Sequence, residues 1–466
     1  MQTIPAIIIG GGLAGSYLAN NLTKAKIDFY LLEASYKLGG RHLSIKDKKE
    51  EVLYEAGAWR VHNSHTRILA LCKKLGLTLE YLEKQSKPLR DPKGTKGLSK
   101  LDETILKNEG DMTKALFEEL KTGYQGSYDS VSTTNPYGVT TKEGEFYTIK
   151  EGQEAIIERL VENLNQDNIK LQHRVQDIVR KDGHYILTVL YTDKNGEIRE
   201  KKIKAKFVFS CVAQFDAWSW TVVQQYLYPL LNSVKPIALN HIYVKGQKPE
   251  NIKNLRKVPK SVLQQIIPST HNQEWYQISY SAGRAAMFWY NYKLKYGERK
   301  MKNLLEEYSG MEFKEVKDYF WSHAYHLWLT TPNFNLEKAV KNSILPNPIK
   351  LPQFWWAGEC FSSFQGWSEG ALETCEMVLK SFYGDGNGYM PIYKNVPSKY
   401  TEYLIFDNTI LDVKSWKNVH PGSKALIVKH MGEDISKRFR YIKHSELSWA
   451  ALYSLRVGFL EKSKQN

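Results

Sequence analysis

The run Gly10-Gly11-Gly12-Leu13-Ala14-Gly15 sets glycines at its first, third and sixth places. It follows the apolar run Ala6 to Ile9 and opens a stretch, Leu13 to Leu22, with helical spacing of apolar and small residues. Glycines at such a turn let the backbone approach a pyrophosphate, and the N-terminus of the following helix stabilises its negative charge. A second apolar run, Phe29 to Leu32, ends at Glu33, where a carboxylate is placed to bind ribose hydroxyls. Strand, turn, helix, strand and acid together predict a dinucleotide site built on Gly10, Gly12, Leu13, Ala14, Gly15 and Glu33; a glycine-rich turn alone would need none of the other parts. NAD and FAD both stay open at this point.

A chain of 466 residues is too long for one compact core, so two or three domains must hold this site. A hydrophobic content of 42% and an aromatic content of 12% fit folded rather than disordered material. No apolar run approaches the roughly 20 residues that cross a bilayer, and the N-terminus enters an apolar strand without a charged leader, which predicts a cytoplasmic protein with no membrane span. Cys72, Cys211, Cys360 and Cys375 are widely spaced and read as buried thiols, not as a disulfide framework. The net charge of +15 comes from lysines scattered along the chain, so a solvated basic surface is expected and no nucleic-acid partner. Attraction to an acidic redox partner is the second reading of that charge.

Between Lys84 and Glu145 the chain turns polar and lysine-rich, with a helical patch at Asp111 to Leu120, as an inserted cap or substrate segment would. Strand-like runs return at Lys170 to Val179, His184 to Tyr191 and Lys206 to Val212. The region from Pro236 to Leu345 is rich in Trp and Tyr, suited to the aromatic walls of a pocket. Near Gly384 the run Gly-Asp-Gly-Asn-Gly-Tyr-Met-Pro has the composition of a linker, and a separate small unit follows. There is no internal repeat.

Leu38-Gly39-Gly40-Arg41 after Glu33, then Trp356-Ala357-Gly358-Glu359 and Gly366-Trp367-Ser368-Glu369-Gly370-Ala371, resemble the motifs of the flavin amine oxidase family over roughly the first 385 residues. The resemblance implies FAD. It places Arg41 near the phosphates, Glu359 at the ribityl chain, and Gly40, Val175, Gly358, Gly366, Trp367 and Ala371 among the cofactor contacts. It also points the helix opening near Gly370 at the flavin N1 and O2, where negative charge gathers on reduction. Trp367 stands where the family sets an aromatic beside the substrate amine, and Trp328, in Tyr325-His326-Leu327-Trp328, is a second candidate whose alternative is a core aromatic. Leu327 occupies the place at which some relatives attach flavin through a cysteine, so the FAD is expected to be non-covalent.

Glu55-Ala56-Gly57-Ala58-Trp59-Arg60, followed by His65 and Leu75-Gly76-Leu77, resembles the Gly-Ala-Met-Arg stretch of L-amino-acid oxidases, in which the arginine clamps the substrate carboxylate. Arg60 takes that role here, with Gly57, Ala58 and Trp59 beside the cofactor; a guanidinium fork matches a carboxylate with two parallel hydrogen bonds. The alternative is a structural arginine. In the strand Ala238 to Val244, Asn240 or His241 replaces the lysine that many family members set near flavin N5, which suits an enzyme that passes electrons elsewhere than oxygen.

From about Tyr400 the chain resembles cytochrome b5, in Tyr403 to Val413, in His420-Pro421-Gly422-Ser423 for that family's His-Pro-Gly-Gly, in Gly432-Glu433-Asp434 and Phe439, and in His444-Ser445. The histidines are 444 − 420 = 24 residues apart, as that family's pattern requires. The resemblance implies haem b ligated by His420 and His444, with no open iron site, so single-electron transfer is its chemistry. Residues 396–466 hold 12 Lys and Arg against 7 Asp and Glu, a basic balance where family members are often acidic.

The expected architecture is α/β and α+β multidomain: a Rossmann-like FAD-binding domain (1–83, 146–235 and 346–385) with an interleaved substrate domain (84–145 and 236–345), plus a small α+β cytochrome b5-like haem-binding domain (396–466). The expected function is oxidation of an L-amino acid to an imino acid, then keto acid and ammonia, with electrons passing from FAD to haem and on to oxygen or an external acceptor. An amine or polyamine substrate is the alternative. A non-catalytic, cofactor-bearing anion-binding protein is the alternative of another class.

Overall fold

The computed structural model describes residues 2–85, 144–246, 262–263, 265–267, 271–272, 274–309, 311–329, 334–383, 392–418, 420, 422–442, 452 and 455–460. The helical patch at 111–120, most of the segment 84–145, the linker run after Tyr383 and His444 lie outside the described residues.

Strand Gln2–Ile9 pairs in parallel with Phe29–Leu32 on one side and Ile198–Ser210 on the other. The sheet continues outward to Ile169–Lys170 at one edge and through His184–Thr192 to His173–Lys181 at the other, with Phe354–Trp356 parallel beside Ile198–Ser210. Because side chains alternate along a strand, Ala6 and Ile8 enter one core, against helices Leu13–Lys24 and Ser368–Tyr383, while Ile7 and Ile9 enter a second core with Trp220, Trp328 and Trp356. Burial on both faces explains why the opening run carries no polar alternation. Ile198–Ser210 begins eight residues before the run that sequence predicts from Lys206. Its first half alternates lysines outward and hairpins on His184–Thr192, so it lacks the apolar signature of a buried strand.

A second sheet orders Gln265–Ile267, Trp275–Ala282, Val234–Lys245 and Glu315–Trp328, all antiparallel. Ile242 and Val244 face helix Gly283–Ser309, through Ala285, Trp289, Met301 and Leu305. Tyr243, of opposite parity, packs on Tyr54 and Trp275. A three-stranded sheet of Val61–His62, Gly144–Ile149 and Leu79–Gln85 flanks the region between.

At the C-terminal end, Tyr403–Phe406 and Thr409–Asp412 form a hairpin closed by Asp407 and Asn408, at φ 46° and 59°. Two consecutive left-handed residues match the right-handed twist of the strands they join. Arg456–Leu460 and Ile392–Tyr393 complete this sheet, and helices Lys424–Lys429 and Ser436–Tyr441 cover it. This unit docks on the first sheet. Lys206 donates to Asp407 at 2.7 Å and lies 4.9 Å above the Phe406 ring; Arg440 also pairs with Asp407, and Arg456 stacks over Phe207 and Phe382.

Candidate active site

Helix Leu13–Lys24 starts at Gly12 with no side-chain cap and no acid in its first turn, so its leading N–H groups are left for an anion. Gly10 adopts φ +96°, and a Cβ on Gly15 would fall 1.9 Å from the Gly10 carbonyl, so the turn closes only on glycine. Gly12 is different: the nearest atom to a Cβ there is 3.8 Å away, which leaves open the space a phosphate would take. Glu33 accepts from the Gly11 N–H at 2.7 Å and from Ser35 N–H and Oγ at 2.8 and 2.6 Å. The Gly39 N–H donates to the Gly11 carbonyl at 3.0 Å, setting the Leu38-Gly39-Gly40-Arg41 loop against the glycine turn.

The closing motif meets the opening one through Glu359. Its Oε2 accepts from Arg41 Nη1 at 2.6 Å and lies 3.1 Å from His326 Nδ1, and its Oε1 accepts the N–H groups of His326 and Gly366 at 2.8 Å each. Burial would push this carboxyl up, but Arg41 and His326 outweigh it and hold it at about 2. With about four acceptor positions on a carboxylate engaged, Glu359 locks residues 41, 326 and 366 together. Gly358, at φ +141°, has nothing within 4 Å of a would-be Cβ, so the backbone beside Glu359 opens onto free space.

Gly57 is pressed on the same loop. A Cβ there would meet the Arg41 carbonyl at 2.0 Å, and the Ala58 N–H donates to that carbonyl at 2.9 Å. The next residues carry the candidate clamp. The Arg60 guanidinium sits 4.8 Å from the ring centroids of Trp59 and Phe146 and 5.8 Å from that of Trp367, and its charge acts on the nearby Tyr280 hydroxyl. Trp367 is half-buried, 4.9 Å from His65 and stacked at 6.1 Å on Phe146. Burial, then the charge of His62, pushes His65 down to about 3, so it is neutral beside Arg60's cage. Arg60 and Trp367 are thus brought together as expected.

Trp328 is a correction. It is 1% exposed, packs on Phe334 and Phe361, and donates its indole N–H to the Ser362 carbonyl at 2.9 Å, deep in the second core. The residue of that strand that borders the site is Tyr325, whose ring lies 3.8 Å from a Cβ placed on Gly366. Trp328→Phe leaves the Ser362 carbonyl short of a donor, which predicts a loss of about 1–3 kcal/mol in denaturant unfolding with KM unchanged. Val175 keeps its side chain in the second core and its carbonyl accepts from Trp220 Nε1 at 3.3 Å, so only its backbone is in a position to meet a cofactor. Ala371 is buried in the first core. Two residues carry roles that motif reading missed: Glu369 accepts the Arg67 and Ile68 N–H groups and so caps helix Thr66–Lys74, and His326 anchors Glu359. A helix-capping acid has no signature when the helix it serves lies three hundred residues away.

The C-terminal unit holds an apolar crevice, partly open to solvent, lined by Leu404, Leu411, Trp416, His420, His430 and Phe439 among others. His420 Nδ1 lies 3.1 Å from the Ser423 carbonyl, which fixes the tautomer and leaves Nε2 its lone pair. Trp416 backs the ring at 4.7 Å, and a Cβ on Gly422 would come within 2.8 Å of His420 Cε1, so the loop wraps the imidazole closely. The His420 donor and the apolar walls fit one side of a haem. Ser423 is held at φ +95°, ψ 148°, a region suited to glycine. Ser423→Gly relieves that strain and is expected to add about 1 kcal/mol to the unit's stability, read as a higher melting midpoint.

No helix among the described residues is long and apolar enough to cross a membrane. Residues 13–125 match the family model of flavin-containing amine oxidoreductases, and residues 394–461 that of cytochrome b5-like heme/steroid binding domains. An L-amino-acid oxidase of Mus musculus is 37% identical over 73 residues, 16% of this chain and 12% of the relative. The flavin-containing amine oxidase A of Bos taurus is 33% identical over 76 residues, 16% of this chain and 14% of the relative. The matched stretches thus span a small part of these relatives. A solved structure described as a protoporphyrinogen oxidase from Exiguobacterium superposes with TM-score 0.54 at 15% identity, covering 82% of this chain and 99% of that one, which shows the fold alone. The chain therefore carries one stretch similar to flavin-containing amine oxidoreductases and another similar to cytochrome b5-like heme/steroid binding domains, on a mixed α/β, multidomain fold.

Proposed function

We propose that the protein is an FAD-dependent oxidoreductase that oxidises an L-amino acid to an imino acid, which water hydrolyses to keto acid and ammonia, with the electrons passing to a b-type haem in the same chain. In this reading 1–83, 146–235 and 346–385 form the flavin unit, 84–145 and 236–345 the substrate unit, and 396–466 the haem unit. Bound flavin would supply a two-electron hydride acceptor and bound haem a one-electron carrier. The Gly10 to Gly15 turn and Glu33 would hold the dinucleotide. Arg41 and Glu359 fix the two flavin motifs to each other, and Leu327 offers no thiol, so attachment is non-covalent. His420 would ligate the iron, with His444 as its partner. Four free cysteines suit a reducing compartment such as the cytoplasm.

The observation that carries the amino-acid reading is Arg60 in a cage of Trp59, Phe146 and Trp367. A cation so shielded pairs with a carboxylate more strongly than one in water, and the rings exclude solvent from the pair. An anaerobic panel of amino acids and amines, followed by flavin absorbance, tests the class. Arg60→Ala is expected to raise the KM for amino acids roughly 10- to 100-fold and to leave simple amines unchanged. Equal effects on both would make the substrate an amine, the class named in the bovine relative. Stopped-flow mixing tests the electron path: a flavin that bleaches while the haem band never reduces excludes it.

A further inference from the structure

His241 stands on strand Val234–Lys245 at the parity of Tyr243, whose hydroxyl donates to the Glu55 carbonyl at 2.6 Å. That face turns toward Arg60, while Asn240 shares the parity of Ile242 and Val244, which face helix Gly283–Ser309. The strand's geometry thus settles which of the two neighbours meets the pocket. His241 is 2% exposed and lies close to the Glu55 backbone, and its Nδ1 is buried with no partner among the described residues. A buried ring nitrogen left unsatisfied needs an explanation, because it forfeits about 1–3 kcal/mol of solvation. A neutral imidazole has one N–H and one lone pair, and the tautomer with its proton on Nε2 makes Nδ1 an acceptor. Burial pushes the imidazole down to about 4, and Arg60 adds to this against the Glu55 carbonyl, so the ring is neutral at pH 7. Tyr280 lies edge-on to it at 4.9 Å and is also near Arg60, which sets both residues along one wall.

We infer that His241 Nδ1 accepts a hydrogen bond from the substrate's α-amino group while Arg60 holds its carboxylate, so the two side chains read the two polar ends of an amino acid. His241 is then a specificity-determining residue. The inference rests on the amino-acid reading above and adds the amine-recognising half of the site. A second cation in this position would repel the ammonium, whereas a neutral acceptor favours it.

The test uses the full-length, flavin-loaded protein, chemically reduced beforehand so that no turnover intervenes, and calorimetric titration with L-phenylalanine, 3-phenylpropanoate and 2-phenylethylamine. His241→Phe is expected to weaken L-phenylalanine and 2-phenylethylamine about 10-fold or more while 3-phenylpropanoate binds as before. His241→Asn, which restores an acceptor, is expected to recover most of that loss; flavin content and melting midpoint report folding of both variants. Equal weakening of all three probes, or unchanged binding of L-phenylalanine, would overturn the inference. If 3-phenylpropanoate binds wild type and Arg60→Ala alike, the carboxylate clamp itself fails, and His241 loses its stated role with it. If that pair differs but His241→Phe changes nothing, only the His241 inference falls.

Discussion

Glu359→Ala is expected to cost about 3–5 kcal/mol of stability and to yield protein that loses flavin on gel filtration. The carboxylate is buried and carries four contacts from three parts of the chain, Arg41, His326 and Gly366. Its removal leaves the Arg41 guanidinium without its counter-charge and the His326 ring without its acceptor, and an orphaned charge is costlier than the pair was valuable. The same residue sets an acid limit. Its folded pKa of about 2 lies below the ordinary 4.5, so the stabilisation is fully present above pH 4.5 and is lost as pH falls from there toward 2. Melting curves across that window should show the wild type losing stability on acidification, while Glu359→Gln, with no proton to gain, shows a shallower loss. A melting midpoint of Glu359→Ala equal to wild type would remove the keystone role.

Gly12→Ala and Gly15→Ala are expected to fail in opposite ways, though both glycines belong to one short motif. The Gly15 Cβ would stand 1.9 Å from the Gly10 carbonyl, so the turn must open, at about 3 kcal/mol or more of overpacking. The Gly12 Cβ clashes with nothing in the protein and Gly12 has φ −76°, so the variant should fold as wild type does. Its methyl occupies the cradle instead, and FAD affinity should fall roughly 10- to 100-fold. Denaturant unfolding of the flavin-free proteins, set beside flavin titration, separates the two. Gly12→Ala that binds FAD as tightly as wild type would place the pyrophosphate elsewhere.

Much of the site is legible because its parts are local. The Gly10 to Gly15 turn, Glu33 and the loop to Arg41 lie within one strand, helix and strand, and the spacing of residue types carries the geometry. Arg60 and Trp367 were legible only as words in a resembling motif; that they share a cage with Phe146 depends on a sheet joining Val61–His62 to Gly144–Ile149. Trp328 misled because parity along a strand cannot be read where both faces are buried: a shift of one residue moves a side chain to the other face. In Tyr325-His326-Leu327-Trp328 every residue is apolar or aromatic enough to be interior, and all four are buried. The same ambiguity left Asn240 and His241 undecided until the pairing with Trp275–Ala282 fixed the register. His430 went unremarked, although its Nδ1 is tied to Glu433 at 2.7 Å and it lines the crevice with His420.

The docking of the C-terminal unit bears on any attempt to separate the two halves. Phe207 and Phe382 lie under Arg456, and Lys206 is tucked between Phe207 and Phe406 with Asp407 as its counter-ion. Severing the chain after Tyr383 would bare the Phe207 ring on strand Ile198–Ser210 and the Phe382 ring on helix Ser368–Tyr383, and leave a cation where its anion had been. The shortened flavin half would gain a sticky patch, and self-association would follow from the cut rather than from any change in its active site.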